Sequence, residues 1–236
     1  MKTTVIILAA GSGKRMNSEV HKQYLLIKEQ PVLYYSLKAF EDSQVDDIVL
    51  VVGAGEIEYC KKEIIEKYGF LKIRAIVEGG KERYHSVYEG LKAAKETDYV
   101  LIHDGARPFV TQEIISRTIE NVCKYQACVV GMPVKDTIKI ADIDNYAKET
   151  PNRSSVWQIQ TPQAFSYPLI FDAYTRIFET EDSAITDDAM VLERMTAQKV
   201  KLIEGSYQNI KITTPEDLLI AEVYLNVSVC GADGNY

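Results

Sequence analysis

The sequence predicts an α/β fold with a mostly parallel sheet and a protruding β-hairpin arm. Through residue 134, short apolar segments alternate with segments of helical apolar spacing, which is typical of βαβ units with right-handed crossovers. From residue 135 the pattern changes to polar–apolar alternation around a turn cluster, as in a hairpin. We therefore expect one domain over residues 1–226 and a disordered tail at 227–236.

Each element follows from apolar periodicity and capping residues. Strands are expected at residues 4–10, 48–52, 73–77, 99–103 and 128–134, and helices at 31–40, 57–68, 83–95 and 113–125. The arm occupies about 135–157. Helices at 168–178 and 187–195, strands at 199–203 and 209–213, and a last helix opening at 214–217 complete the chain.

Ligands of such sheets bind beyond the carboxyl ends of the strands. Three unusual segments are predicted to lie at those ends, namely residues 11–15, 79–83 and 104–108. That coincidence predicts a single site built from loops that are distant in the sequence.

Composition excludes several classes of function. The 236 residues carry a net charge of −7, whereas nucleic-acid binding needs a basic surface. No apolar run approaches the length of a membrane span and no secretory signal precedes the first strand, so a cytoplasmic protein is expected. The four cysteines show no paired metal-ligand spacing, and we expect buried thiols.

A glycine-rich turn at residues 11–13 follows the first strand and precedes the basic residues Lys14, Arg15 and Lys22. Because glycine has no Cβ, backbone N–H groups in such a turn approach a phosphate closely. The turn lacks the third glycine of the dinucleotide fingerprint, since Met16 stands there, and it is not a P-loop. By itself it fits an ordinary turn before a solvated basic segment, and only the longer string LAAGSGKRM…HKQYL favours a triphosphate cradle.

Further motifs in one order carry a resemblance to a family. They are HDGARPFV (103–110), PVKDTIK (133–139), ETPNRSSVWQIQTPQAF (149–165), TDDA (186–189) and EGSYQNIKITTPEDL (204–218). Together with the glycine-rich loop, they resemble the 2-C-methyl-D-erythritol 4-phosphate cytidylyltransferase family of the sugar-nucleotidyltransferase superfamily. The resemblance runs from the first strand to about Leu225. His21 and Gly105 depart from it, because the family often has proline and alanine at those positions.

The resemblance implies a three-layer, Rossmann-like nucleotidyltransferase sheet and transfer of CMP from CTP to methylerythritol phosphate, with Mg²⁺ as cofactor. It implies that Arg15 and Lys22 stabilise the transition state and that Arg153 and Lys211 position the acceptor phosphate. It further implies nucleotide contacts at Ala9, Ala10, Gly11, Gly13, Gly80 and Ser86, and acceptor contacts at Asp104, Arg107, Thr137 and Thr186. The metal ligands are left open.

Several of these residues also have a purely structural interpretation. Asp104 and Thr186 suit a turn cap and a helix N-cap, Arg107 a structural ion pair, and Lys211 a solvated strand lysine. His103 is expected to be a packed core histidine. The arm suits either a plain surface hairpin or, as the resemblance implies, a homodimer in which the arms cross and Arg153 serves the partner's site.

Three other functions remain as alternatives. Ribitol-5-phosphate cytidylyltransferases share several of the motifs and differ in the acceptor. A dinucleotide-dependent oxidoreductase would need an acidic residue at the end of the second strand, where residues 52–55 offer none. A catalytically inactive CTP-binding regulator is disfavoured because all four implied basic residues are present.

Overall fold

The computed structural model describes residues 1–11, 16, 21–180 and 185–230, with only the backbone described at 227–230. Strands in these ranges are β1 (Thr3–Ala9), β2 (Leu26–Ile27), β3 (Gln30–Pro31), β4 (Asp47–Val52), β5 (Ile73–Glu78), β6 (Tyr99–Asp104), β7 (Ala127–Pro133), β8 (Ile140–Ala141), β9 (Ala147–Glu149), β10 (Trp157–Ser166) and β11 (Lys201–Glu204). Helices are α1 (Val32–Glu41), α2 (Ile57–Cys60, continued by a π-helical segment Lys61–Glu66), α3 (Arg83–Ala93), α4 (Gln112–Tyr125), α5 (Tyr167–Ile177), α6 (Asp188–Met195) and α7 (Pro215–Cys230).

The central sheet has seven strands in the order β11-β7-β10-β6-β1-β4-β5. The β1–β4, β1–β6, β4–β5 and β7–β11 pairs are parallel, whereas β10 runs antiparallel to both of its neighbours. The carboxyl ends of β1, β5 and β6 therefore lie at one edge. The prediction of a mostly parallel α/β sheet is confirmed, and the sheet is mixed because of β10.

Helices cover both faces of the sheet, which gives three layers. Alternate residues of β1 point to opposite faces: Val5 and Ile7 pack in the cluster that holds Leu37 of α1, and Ile6 packs in the cluster that holds Leu91 of α3. All are fully buried. A strand buried on both faces reads as a continuous apolar run, which is why β1 was predictable from its sequence.

One strand was missed and one predicted strand does not form. The sequence analysis assigned no element between the arm, which ends at about Trp157, and the helix at 168–178, yet β10 lies there, between β6 and β7 in the sheet. It contains Pro162, and proline cannot donate to a strand ladder. Its pairing with β7 shifts register between Ile159 and Gln163. Residues 209–213, predicted as a strand, form no ladder, because their backbone bonds close turns and reach Ala106, which accepts from Ile212 N at 2.8 Å.

The arm projects from the sheet as a short antiparallel pair of β8 and β9. The predicted turn lies at Asp142–Asn145, where Asn145 N donates to Asp142 O at 3.2 Å and Asn145 has a φ of 65°.

At the C-terminal end of the chain, α7 continues to Cys230, so the boundary predicted at residue 226 falls inside a helix. In the described part of the chain, no helix has both the length and the apolarity needed to cross a membrane.

Candidate active site

Two adjacent cavities open at the carboxyl ends of β1, β5 and β6. The first has a volume of about 300 Å³ and is lined by Leu8, Ala9, Ala10, Gly11, Lys22, Gln23, Gly80, Lys81, Glu82, Arg83, Ser86, Asp104, Ala106 and Lys211. The second, of about 320 Å³, is lined by Arg83, Asp104, Arg107, Ile159, Gln160, Thr161, Gln163, Thr186, Asp187 and Lys211. Arg83, Asp104 and Lys211 line both, so they form a shared wall.

Close backbone packing shapes the floor of the first cavity. A Cβ on Gly79 would lie 2.5 Å from Ala10 Cβ and 2.6 Å from Ser86 Oγ. The Ser86 hydroxyl accepts from Gly80 N at 3.1 Å and donates to Glu82 O at 3.2 Å. Only glycine permits this approach. The backbone after β5 is therefore held beside the end of β1.

Lys22 enters the first cavity from a 3₁₀ turn, Lys22–Tyr24. Its Nζ donates to Ile212 O at 3.0 Å. The next residue, Gln23, is buried and its Nε2 donates to Ala9 O at 2.6 Å, at the end of β1. The amide of Gln23 therefore fixes the turn to the sheet and directs the Lys22 side chain across the cavity.

Asp104, the last residue of β6, is the charge centre of the shared wall. Its Oδ2 lies 2.8 Å from Lys211 Nζ and 3.6 Å from Arg107 Nε, and its Oδ1 lies 3.4 Å from Arg83 Nε. Burial alone would raise the pKa of Asp104, but Lys211, Arg83 and Arg107 outweigh it and hold the pKa well below its ordinary value. Asp104 is therefore a carboxylate surrounded by three cations.

Arg83, the first residue of α3, connects Asp104 to a deeper acid. Its two terminal nitrogens donate to the two carboxylate oxygens of Asp188 at 2.8 Å each. The buried Tyr174 hydroxyl donates to Asp188 Oδ1 at 2.6 Å. Burial by itself lowers the pKa of Arg83, but Asp188 and Asp104 outweigh it, so the guanidinium stays charged.

His103 is fully buried behind Asp104, as expected of a core histidine. Burial lowers its pKa to about 4, so the ring is neutral near pH 7. Its Nε2 lies 3.2 Å from Arg107 O, and a carbonyl only accepts, so Nε2 carries the proton. Nδ1 therefore accepts from the Thr161 hydroxyl at 3.0 Å, while Thr161 Oγ1 accepts from Asp104 N at 3.1 Å. This series of hydrogen bonds fixes the end of β6.

The second cavity presents an arginine whose guanidinium is only partly used. Arg107 donates from one terminal nitrogen to Asn209 O at 2.8 Å. Its buried Nε has no hydrogen-bond acceptor within the described ranges and approaches Asp104 only at 3.6 Å. Because Nε itself is buried, an incoming anion would meet the rest of this guanidinium, whose positive charge lines the cavity. Thr186 lies at the exposed rim of this cavity.

The structure brings together most, but not all, of the predicted site residues. Ala9, Ala10, Gly11, Lys22, Gly80 and Ser86 line the first cavity, Arg107 and Thr186 the second, and Asp104 and Lys211 both. Thr137 and Arg153 line neither: both are exposed on the arm, where Arg153 donates to Lys135 O at 3.0 Å. Gly13 and Arg15 lie outside the described residues.

The two departures from the family pattern have local explanations. His21 Nδ1 contacts the carboxylate of Glu56, which also accepts from Tyr24 OH at 2.7 Å. This contact fixes residue 21 to the start of α2. A Cβ on Gly105 would lie 2.9 Å from Leu33 Cδ1 and 3.0 Å from a β1 carbonyl, so packing there favours glycine.

Sequence analysis missed Arg83 and Asp188 as site residues, although both lie in segments that it singled out. One signal was available. A cation in the first turn of a helix faces the positive end of the helix dipole and is unfavourable there, so Arg83 at the start of α3 indicates an acidic partner. Nothing in the sequence identifies that partner as Asp188, which is 105 residues away.

The residues present fit a magnesium ion that is held largely by its substrates. In the described part of the chain, no group of three or more His, Cys, Asp or Glu residues is arranged to hold a metal. Mg²⁺ in phosphate chemistry, however, is commonly bound by one or two carboxylates together with phosphate oxygens. Asp104 meets that requirement, because its carboxylate lies in the wall that both cavities share.

Comparison with known proteins gives a consistent result. A family model described as 2-C-methyl-D-erythritol 4-phosphate cytidylyltransferase (IspD) matches residues 3–227. A curated protein of that description from Lachnoclostridium phytofermentans is 53% identical over 224 residues, which is 95% of this chain and 96% of that protein. One from Lachnospira eligens is 54% identical and covers 94% of this chain and 98% of its own.

Solved structures give the same relationship. The structure of 4-diphosphocytidyl-2C-methyl-D-erythritol synthase from Anaerococcus prevotii has a TM-score of 0.85 at 40% identity, and the match covers 95% of this chain and 96% of the other. The 2-C-methyl-D-erythritol 4-phosphate cytidylyltransferase from Thermus thermophilus has a TM-score of 0.73 at 30% identity, with 95% and 98% covered.

Proposed function

This chain belongs to the 2-C-methyl-D-erythritol 4-phosphate cytidylyltransferase family, and from that premise we propose how its two cavities carry out the family's reaction. The protein is a cytidylyltransferase that transfers CMP from CTP to 2-C-methyl-D-erythritol 4-phosphate, giving 4-diphosphocytidyl-2-C-methyl-D-erythritol and pyrophosphate. The alternative acceptor, ribitol 5-phosphate, is not favoured.

The observation that carries the proposal is the wall of Arg83, Asp104 and Lys211 between the cavities. CTP occupies the first cavity, where the backbone from Ala9 to Gly11 and the Gly80–Ser86 contact surround it. The acceptor occupies the second. The two reacting groups then meet at the shared wall, and holding them there supplies the proximity that a bimolecular reaction lacks.

The chemistry needs no general base. An oxygen of the acceptor's phosphate monoester, already ionised near neutral pH, attacks the α-phosphorus of CTP. The bond from that phosphorus to the oxygen bridging to the β-phosphorus breaks, and pyrophosphate leaves with the electron pair. What the protein supplies is charge stabilisation, from Lys22 and Arg15 at the α-phosphate and from Lys211 and Arg107 at the acceptor.

Mg²⁺ is the proposed cofactor, with Asp104 as its protein carboxylate and phosphate oxygens as its other ligands. When bound, such an ion neutralises charge on the triphosphate. Lys211 and Arg83 keep the Asp104 carboxyl ionised at neutral pH, which a metal ligand requires.

A homodimer with exchanged arms is proposed to complete the acceptor cavity. Large apolar side chains on the arm are exposed, with Ile143 97% and Tyr146 73% accessible. An isolated hairpin is marginal in water, and a second copy would cover both arms about one two-fold axis. Arg153, which reaches neither cavity of its own chain, would then serve the partner's acceptor phosphate.

The test is pyrophosphate release from CTP with and without 2-C-methyl-D-erythritol 4-phosphate. Release should require the acceptor and Mg²⁺. With CTP held constant, ribitol 5-phosphate should support less than about a tenth of that rate, since the site must lose at least one aligned contact. Release without an acceptor, or equal rates with the two acceptors, would contradict the assignment of the second cavity.

A further inference from the structure

We propose that Arg83, held by the buried carboxylate of Asp188, is a positioning residue that keeps Asp104 in place between the two substrates. The inference rests on the proposed function and adds to it a pair of residues that bind neither substrate. Its basis is geometric: Arg83 occupies the shared wall, yet its guanidinium is directed at protein carboxylates.

The guanidinium of Arg83 is engaged along both of its donor edges. The two terminal nitrogens form a bidentate pair with Asp188 at 2.8 Å each, and Nε approaches Asp104 Oδ1 at 3.4 Å. Bidentate pairing fixes the plane of a guanidinium as well as its position. The direction from which Arg83 approaches Asp104 is therefore set by Asp188.

Asp188 is in turn held rigidly. Its side chain has no solvent exposure, and Oδ1 accepts from Tyr174 OH at 2.6 Å. The backbone N–H groups of Asp188 and Ala189 both donate to Gln163 Oε1, at 3.1 and 3.0 Å. Gln163 belongs to β10, the strand of the sheet that runs antiparallel to both of its neighbours. The start of α6, and with it the Asp188 carboxylate, is thus fixed to the sheet.

Asp104 needs such a support because of its other partners. Its Oδ2 is bound by Lys211, at 2.8 Å, from the irregular segment after β11. Arg107 approaches the same oxygen at 3.6 Å, and both Lys211 and Arg107 are proposed to meet the acceptor phosphate. When these two cations turn toward that phosphate, Arg83 still contacts the other carboxylate oxygen, Oδ1, at 3.4 Å. Asp104 then stays aligned while its other partners are engaged elsewhere.

The experiment is a mutant cycle on the full-length enzyme. Arg83→Gln combined with Asp188→Asn removes both charges and leaves no unpaired buried ion, which protects folding. This neutral pair is made alone and together with Asp104→Asn, and Asp104→Asn is also made alone. The matched control is Asp172→Asn with Arg176→Gln, a surface pair on α5 at 3.6 Å. Measured are kcat, KM for each substrate and the thermal unfolding midpoint.

We expect the neutral pair to lower kcat about 10-fold and to change KM for CTP by less than about 2-fold. In the Asp104→Asn background the neutral pair should lower kcat no further, because the effects of coupled residues are non-additive. The control pair should leave kcat unchanged. Equal losses in both backgrounds would overturn the proposal, because Arg83 would then act independently of Asp104. So would wild-type kcat in the neutral pair, or a loss explained by the unfolded fraction. Absence of CMP transfer by the wild-type protein would instead overturn the proposed function.

Discussion

The ammonium of Lys211 and the carboxylate of Asp104 are 2.8 Å apart in the wall between the two cavities. They come from segments 107 positions apart in the chain, counted from 104 to 211. The same segment that carries Lys211 also accepts the hydrogen bond from Lys22 through the carbonyl of Ile212. One irregular stretch thus carries a residue assigned to the acceptor, Lys211, and contacts a residue assigned to CTP, Lys22.

Lys211→Met is expected to reduce kcat/KM for the acceptor about 100-fold or more, in line with the roughly 2.7–4 kcal/mol lost with an aligned charge contact. KM for CTP should change much less. Steady-state pyrophosphate release with each substrate varied in turn measures both. The control is Lys199→Met, an exposed lysine outside both cavities, and an equal loss in that variant would show a nonspecific effect of charge.

Lys22→Ala is expected to lower kcat by about 10²-fold or more, because the proposed contact at the α-phosphate strengthens in the transition state. Substrate binding should weaken less. Lys61→Ala, which removes an exposed lysine on the segment after α2, is the control. If Lys22→Ala turned over at the wild-type rate, the assignment of Lys22 to the α-phosphate would be wrong. The same loss is expected of Arg15→Ala, a residue outside the described ranges.

CTP should be used in preference to UTP and to purine triphosphates when the nucleotides compete in one assay. Ser86→Ala should raise KM for CTP about 5-fold, since it removes a hydrogen bond that organises Gly80 and such bonds contribute on the order of 1 kcal/mol. Ser43→Ala also removes an intramolecular hydrogen bond, to Phe40 O at 2.8 Å, at a residue that lines neither cavity. It should cost stability and leave KM unchanged. Equal use of ATP and CTP would contradict the predicted specificity for the cytosine base.

Stability should fall in mild acid because of His103. Burial, together with the nearby Arg107 and Lys211, lowers its pKa from 6.5 to about 4, against the opposing charge of Asp104. Between these values the unfolded chain binds a proton that the folded protein does not, so the free energy of unfolding falls by roughly 3 kcal/mol as the pH drops through that window.

Chemical denaturation of the metal-free protein at pH values of about 7, 5.5 and 4.5 measures that loss. His103→Gln keeps a donor toward Arg107 O and an acceptor for Thr161 but does not titrate. The variant should therefore show a smaller loss over the same pH range. Parallel curves for the two proteins would mean that His103 does not titrate as its burial requires.

Arm exchange predicts complementation between two inactive homodimers. Arg153→Ala and Lys211→Ala should each abolish most of the activity, the first through the partner's site and the second through its own. Mixing them with subunit exchange should restore one intact site in each heterodimer. Lys148→Ala, which removes an exposed cation from the same arm, should be active by itself. A fully active monomer, or purified heterodimers with no recovery, would place the action of Arg153 in its own chain.

An element of the fold could be predicted when its sequence signal lay within the element itself, and it was missed when its place depended on contacts with distant segments. Strands β1, β4 and β6 are continuous apolar runs, and helices α1 and α4 have both periodicity and boundary residues, so each was located within a few positions. Strand β10 was missed because Pro162 argues against a strand, while its place between β6 and β7 depends on contacts with both.

The site divides in the same way. The sequence by itself determined the glycine-rich turns, the basic residues and their motif context, and so the family and the cytidylyl transfer reaction. Only the tertiary structure decided that Asp104 stands among Arg83, Arg107 and Lys211, and that Arg83 is held by Asp188. Those contacts join residues as much as about a hundred positions apart. Electrostatic partnership depends on distance in space and on burial, and no periodicity along the chain records either quantity.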